Sequence, residues 1–191
     1  MAATSKGNVR EAILVAAREA AMAYGYGGLN FRDLAETVGI KAASINYHFA
    51  TKALLGEAVA RRYWEDIARD LESISMNARS PTEALHRYPS IFRLSLERDN
   101  RMCLSSFMAT EHDELPEPVL KEVQNFADVN TAWLCDHLIA ARLASPAEGE
   151  LRARAIYAAI VGAQIIARSR SDVKLFDKVV ESYQIMGLLP S

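Results

Sequence analysis

Apolar residues recur along almost the whole chain at intervals of three and four, the spacing that lines one face of an α-helix. In the first such segment, about Asn8 to Tyr24, the stripe consists of Val9, Ile13, Ala17, Ala20 and Tyr24. Gly25-Tyr26-Gly27-Gly28 ends that helix with residues that tolerate positive φ. Asn30 is placed to cap a short second helix, Phe31 to Val38, with Leu34, Ala35 and Val38 facing inward. Gly39 supplies a turn, and a third helix runs from Lys41 or Ala42 to about His48. Thr51 caps a long fourth helix that continues through Leu54, Leu55, Ala58, Val59, Tyr63, Trp64, Ile67 and Leu71.

Later helix starts carry a chemical signature. Ser80-Pro81-Thr82-Glu83 and Ser145-Pro146-Ala147-Glu148 each place Ser at the cap, Pro at the first helical position and Glu at the third. Further starts are expected near Leu115-Pro116-Glu117 and Ser171-Asp172. No alternating strand pattern competes with these signals. The chain is therefore expected to be all-α, with about nine helices.

Two short helices around a glycine turn, followed at once by a capped long helix, have the order of a helix-turn-helix. On a 100° wheel, Ala42, Ile45 and Phe49 gather on one side of the third helix and pack inward. Ala43, Ser44 and Tyr47 point the other way, with Lys41 and Asn46 on the flanks. Small outward residues let a helix enter a major groove, while Lys41, Ser44 and Asn46 supply donors and acceptors for base edges and phosphates. Arg32 and Lys52 stand near the starts of adjacent helices, where free N–H groups also favour phosphate.

Composition sharpens this reading. The formal net charge is −2 over 191 residues, an unpromising total for a partner of DNA. The charges are segregated, however. Residues 1–62 hold eight Lys and Arg against five acids, a balance of +3, and the remainder carries −5. Half of the chain is hydrophobic, enough to bury a full core. The most apolar run, residues 155–167, is short and flanked by Arg154 and Arg168, so no membrane span is expected. The amino-terminal MAATSKGNVR lacks a signal-peptide core. Cys103 and Cys135, far apart and in no metal-ligand spacing, point to a reduced cytoplasmic protein. No metal or other cofactor is expected.

The segment from Ile13 to Val59 closely resembles the DNA-binding domain of TetR/AcrR-family transcriptional regulators. The resemblance is carried by a first helix ending in a Gly-Tyr pair, then Arg32-Asp33-Leu34-Ala35, Val38-Gly39-Ile40, Tyr47-His48-Phe49 and Thr51-Lys52. It implies a three-helix DNA-binding domain at residues 8–67, with the helix-turn-helix about 30–49. The long fourth helix would join it to a helical ligand-binding and dimerisation domain at 68–191. By the same resemblance, Tyr47 and Lys52 fall where family members contact the phosphate backbone. Lys41, Ala42, Ala43, Ser44 and Asn46 lie in the recognition helix, and His48 is a structural or phosphate-facing residue at its end. Three positions depart from the pattern: Lys41 replaces a common capping Ser or Thr, Asn46 a frequent aromatic and Ala53 a frequent acid. Asn46 either reads an adenine edge or bonds to its own backbone.

The resemblance also implies an effector cavity and a dimer surface in the later helices. Tyr63, Trp64, Phe92, Leu96, Cys103, Phe107, Trp133, His137 and Gln164 are candidates to line the cavity, although aromatic residues at helical spacing also fill ordinary cores. Some family members sense electrophiles through a cysteine in this region, and Arg98 and Arg101 near Cys103 would favour its thiolate. A buried inert thiol is the alternative. Ala155, Ala159, Gly162, Ala163 and Ile166 form a small-residue stripe, and Phe176, Val180 and Tyr183 add larger knobs, for an isologous four-helix dimer interface. The expected protein is a non-enzymatic, ligand-responsive repressor that binds a near-palindromic operator as a homodimer. The competing reading is a helical-pocket enzyme or small-molecule carrier using His112 or His137.

Overall fold

Capping groups sit where helices begin in the computed structural model, which describes residues 6–190. The first residues of the segment read above as lacking a signal-peptide core lie outside that range. The helices are α1 (Lys6–Tyr24), α2 (Phe31–Val38), α3 (Ala42–His48), α4 (Lys52–Asn77), α5 (Pro81–Arg87), α6 (Ser90–Glu97), α7 (Leu104–Ala109), α8 (Glu117–Ala140), α9 (Pro146–Ser169) and α10 (Val173–Ile185). Short 3₁₀ turns occupy Tyr26–Gly28 and His112–Glu114, and no strand occurs among the described residues. The all-α class stands. The ten α-helical segments exceed the expected count of about nine by one, and the shortest of them is the six-residue α7.

Local chemistry explains the boundaries. Asn30 Oδ1 accepts the Arg32 N–H at 2.9 Å, closing the start of α2. Gly39 ends that helix in the left-handed region (φ 74°, ψ 33°), returning its N–H to Ala35 and Glu36. Thr51 Oγ1 accepts the Leu54 N–H, and Asp172 Oδ1 accepts that of Leu175. At α9 the Glu148 carboxylate accepts from both the N–H and the hydroxyl of Ser145. These bonds hold Glu148 below the usual carboxylate range. At α5 the Ser80 hydroxyl caps Glu83, but the Glu83 carboxylate turns to the Arg79 N–H and guanidinium instead of back to Ser80.

The chain divides into two compact units. The first comprises residues up to Trp64 together with Leu104–Gln124. In it α2 packs on α1 and α3, and α7 packs on α1. Ile13, Leu14, Ala17, Leu34, Ile45, Phe49, Leu55 and Tyr63 form its centre. The second comprises Glu65–Cys103 and Asn125–Ser191, with α10 and α6 packed on α9. Tyr88, Phe92, Phe126, Leu138, Ile156, Ile160 and Phe176 are buried there.

Two inward assignments are corrected. Tyr24 is 73% exposed. Burial on α1 centres on Leu14, Ala17 and Ala21, which leaves the last residue of the helix in water. Ala42 is exposed as well, because the first residue of α3 lies ahead of the turn that Ile45 pins down.

Candidate nucleic-acid interface and the buried polar network

Helix α3 is held by two side chains. Ile45 is fully buried and Phe49 nearly so, with the Arg10 guanidinium 5.0 Å from the Phe49 ring centroid. Everything between them faces outward to some degree. Lys41, Ala42, Ala43, Asn46 and Tyr47 are exposed, and Ser44 and His48 are half-buried. Lys41 occupies the cap position of α3 and makes no side-chain cap bond, so its ammonium remains in solvent. Asn46 Nδ2 turns toward the Ala42 carbonyl at 3.4 Å, a long bond along its own helix. The Tyr47 and His48 rings meet edge to face at 5.3 Å. A shallow recess of about 460 Å³ lies against this face, lined by Val9, Ile40, Lys41, Ala43, Ser44, Tyr47 and His48.

The flanking cations differ. Arg32 is exposed at the start of α2. Lys52 is half-buried, with its ammonium 4.3 Å from the Tyr26 ring centroid. Burial pushes the Tyr26 phenol above its ordinary pKa. The Tyr26 N–H donates to Glu111 at 2.8 Å, and Gly25 sits at φ 65°, ψ −158° beneath the same carboxylate. The positive φ favours glycine at this position, and a Cβ at Gly25 would displace the Glu111 carboxylate from the Tyr26 N–H. Farther along α4, Arg61 and Trp64 Nε1 donate to the buried Glu122 of α8 at 2.6 and 2.7 Å.

Sequence reasoning missed Arg10, Glu111 and Glu122. Arg10 was counted only in the charge balance, since its place beside Phe49 depends on α1 crossing the end of α3. Nothing local marks the partner of Glu111, which lies 85 positions away.

The fold and this face can be set beside known proteins. The model of bacterial regulatory proteins of the tetR family matches residues 13–59, from α1 into α4. A TetR transcriptional regulator from Legionella pneumophila superposes with a TM-score of 0.86 at 27% identity, over 97% of this chain and 99% of that one. A TetR-family transcriptional regulator from Agrobacterium tumefaciens gives 0.85 at 25% identity, over 93% and 96%. Residues 13–59 carry the amino-terminal domain of the tetR family, and the chain as a whole shares the fold of these TetR-family regulators. The regulatory protein TetR from Rhodobacter sphaeroides, 16% identical with a TM-score of 0.83 over 92% and 96%, shares its fold. No curated protein matches the chain. The matched helices form the helix-turn-helix by which TetR-family transcriptional regulators bind DNA.

The effector candidates fall in both units. Tyr63, Trp64 and Phe107 belong to the first unit. Tyr63 is buried with the Arg18 guanidinium 4.9 Å from its ring centroid, Trp64 serves Glu122, and Phe107 is half-buried. The other six belong to the second unit, where Phe92, Leu96, Cys103 and Gln164 are buried. Gln164 accepts the Cys103 N–H at 3.1 Å and donates to the Phe92 carbonyl at 2.7 Å. Trp133 stacks on His137 at 3.9 Å and on Tyr88 at 5.7 Å, and Tyr88 meets Phe92 edge to face. His137 Nδ1 faces the Trp133 carbonyl at 2.9 Å, which can only accept, so Nδ1 carries a proton. Ser75 receives the Trp133 indole N–H and lies 3.0 Å from His137 Nε2. The Tyr88 hydroxyl donates to Asn130 at 2.9 Å, and burial pushes its pKa well up. Tyr88, Asn130 and Ser75 were not among the candidates, because only packing brings them to this network.

The dimer candidates separate as clearly. Ala155 and Ile166 are exposed, while Ala159, Gly162, Val180 and Tyr183 are half-buried. Ala163 is fully buried and Phe176 is 1% exposed, so both serve the core of their own subunit and offer a partner no surface. The larger exposed apolar side chains on α9, and at and beyond the end of α10, are Leu151, Ile165, Ile166, Ile185 and Met186. No helix among the described residues is long and apolar enough to cross a membrane.

Proposed function

We propose that the chain is a dimeric, ligand-responsive repressor whose two helix-turn-helix heads occupy successive major grooves of a near-palindromic operator. The observation that carries this reading is α3: Ile45 and Phe49 anchor it, while Lys41, Asn46 and Tyr47 stand in solvent. Lys41, Tyr47, Arg32 and Lys52 position the head on phosphate, and Ala43 and Ser44 face the bases, which Asn46 joins only by leaving the Ala42 carbonyl. Lys52 reaches the backbone by leaving the Tyr26 ring.

The apolar side chains exposed on α9 and near the end of α10 supply the dimer surface, since such a patch in water favours a self-complementary partner. A small-molecule effector is assigned to the second unit, where Gln164 and the aromatic rings are already committed to one another and must open locally to admit it. Cys103 gives that effector class an electrophilic member, although at 2% exposure the thiol reacts only through local opening. Effector binding acts by preferring the conformation that does not fit the operator.

Selection of bound duplexes from a random pool, followed by salt titration, tests the reading. Affinity should fall steeply with salt, light scattering should report a dimer at micromolar concentration, and one class within a panel of aldehydes, acids and electrophiles should release the DNA. Salt-independent binding, or a monomer that binds no duplex, would overturn it.

A further inference from the structure

We infer that the recognition helix reads the 5-methyl group of thymine, seating it against the Ala43 methyl in the recess beside α3. The inference rests on the DNA-binding reading and names the base feature that the same face recognises.

Side chains read base edges through a small set of matches: Arg or Lys for guanine, Asn or Gln for adenine, and apolar contact for the thymine methyl. The exposed middle of α3 carries neither a guanidinium nor an ammonium, and Lys41 stands at its very start. The one amide, Asn46, is turned back toward the Ala42 carbonyl. What remains projecting are the methyls of Ala42 and Ala43, both exposed. Of the two, only Ala43 lines the recess, where Val9 and Ile40 contribute further apolar surface and Lys41, Ser44 and Tyr47 form polar edges. The recess therefore combines an apolar floor for a methyl with groups suited to the phosphates and base edges around it. The Lys41 cation favours the polyanion that carries that methyl, and no salt bridge within the described residues engages it. A purine or cytosine at that position presents no methyl and leaves the apolar floor against polar edges.

Uracil keeps the pairing of thymine and deletes only the methyl, so it isolates this contact. A duplex selected from a random pool is remade with deoxyuridine at each thymine in turn, and its affinity is measured by fluorescence anisotropy at fixed salt. One symmetry-related thymine should lose about fourfold in affinity per half-site, the effect of one buried methyl. Ala43→Gly should bind the thymine and uracil forms of that site equally. Ala43→Ser, which is less costly to the helix, should likewise erase most of the difference, and circular dichroism confirms that both variants fold. Lys52→Ala should weaken both forms by the same factor. If no thymine is sensitive to uracil, or the sensitivity is unchanged in both Ala43 variants, the inference fails while salt-dependent DNA binding still stands. If no duplex is selected at all, it falls together with the DNA-binding reading.

Discussion

The outward face of α3 and the interior of the second unit use similar polar side chains to opposite ends. On α3, Lys41 and Ser44 make no side-chain hydrogen bond among the described residues. In the second unit, the fully buried Gln164 and Asn130 are committed to Cys103, Phe92, Tyr88 and Phe126. Water satisfies an exposed donor until a partner replaces it, whereas a buried donor without a partner costs free energy in every molecule. Uncommitted polar groups therefore mark a surface awaiting a ligand, and committed ones mark a core. Ser105 and Ser106 break the pattern, since both hydroxyls are buried in α7 without a hydrogen-bond partner among the described residues.

The largest expected effect removes a committed group. Gln164→Leu should strand the Cys103 N–H and the Phe92 carbonyl and cost about 2–4 kcal/mol, read from urea unfolding. A change below 0.5 kcal/mol would mean the interior is less committed than its hydrogen bonds suggest. Glu122→Gln probes the same property in the first unit. It should cost about 1–3 kcal/mol, because Arg61 and Trp64 lose a charged acceptor.

The uncommitted face should behave in reverse. Lys41→Ala should leave thermal stability within about 0.5 kcal/mol and weaken operator binding about tenfold, or roughly 1.4 kcal/mol. Lys41→Ala should also reduce the slope of affinity against salt by about one. Ser105→Ala, by deleting an orphaned hydroxyl, should stabilise the protein by about 1 kcal/mol. A loss of stability there would show that the hydroxyl has a partner such as bound water.

The smallest effect lies at the surface. Arg79 and Arg87 hold Glu83 down from 4.5 to about 2. Its depressed folded pKa means that the stabilisation is complete above the unfolded value and disappears as pH falls through the folded one. The difference between the native chain and Glu83→Gln should therefore be small at pH 7 and close between about pH 4.5 and 2, followed by thermal melts across that range.

Much of the fold was legible because helix ends are written locally. Asn30, Thr51, Ser80 and Asp172 satisfy N–H groups only two or three positions away, so their residue types and spacing suffice. The outward face of α3 was legible for a related reason: Ile45 and Phe49 lie one helical turn apart and fix its rotation. The rest depended on partners distant in the chain. Glu111 meets Tyr26, Glu122 meets Arg61, and Ser75 meets His137 across separations that periodicity does not reach. The same ambiguity affected α9 and α10, where a stripe of small and large apolar residues fits an interface or a core equally well.

By itself, the sequence determined where α2, α4, α5, α9 and α10 start, that helices are the only regular structure expected, and which residues of α3 lie opposite its anchors. These follow from caps, turns and a 3.6-residue repeat, all of which act within a few bonds. Tertiary structure alone decided that Tyr24 and Ala42 face water, that Ala163 and Phe176 are enclosed by their own subunit, and that Gln164 and Glu122 are buried with partners. Burial and pairing of a side chain depend on what the rest of the chain brings to it, and no local pattern carries that information.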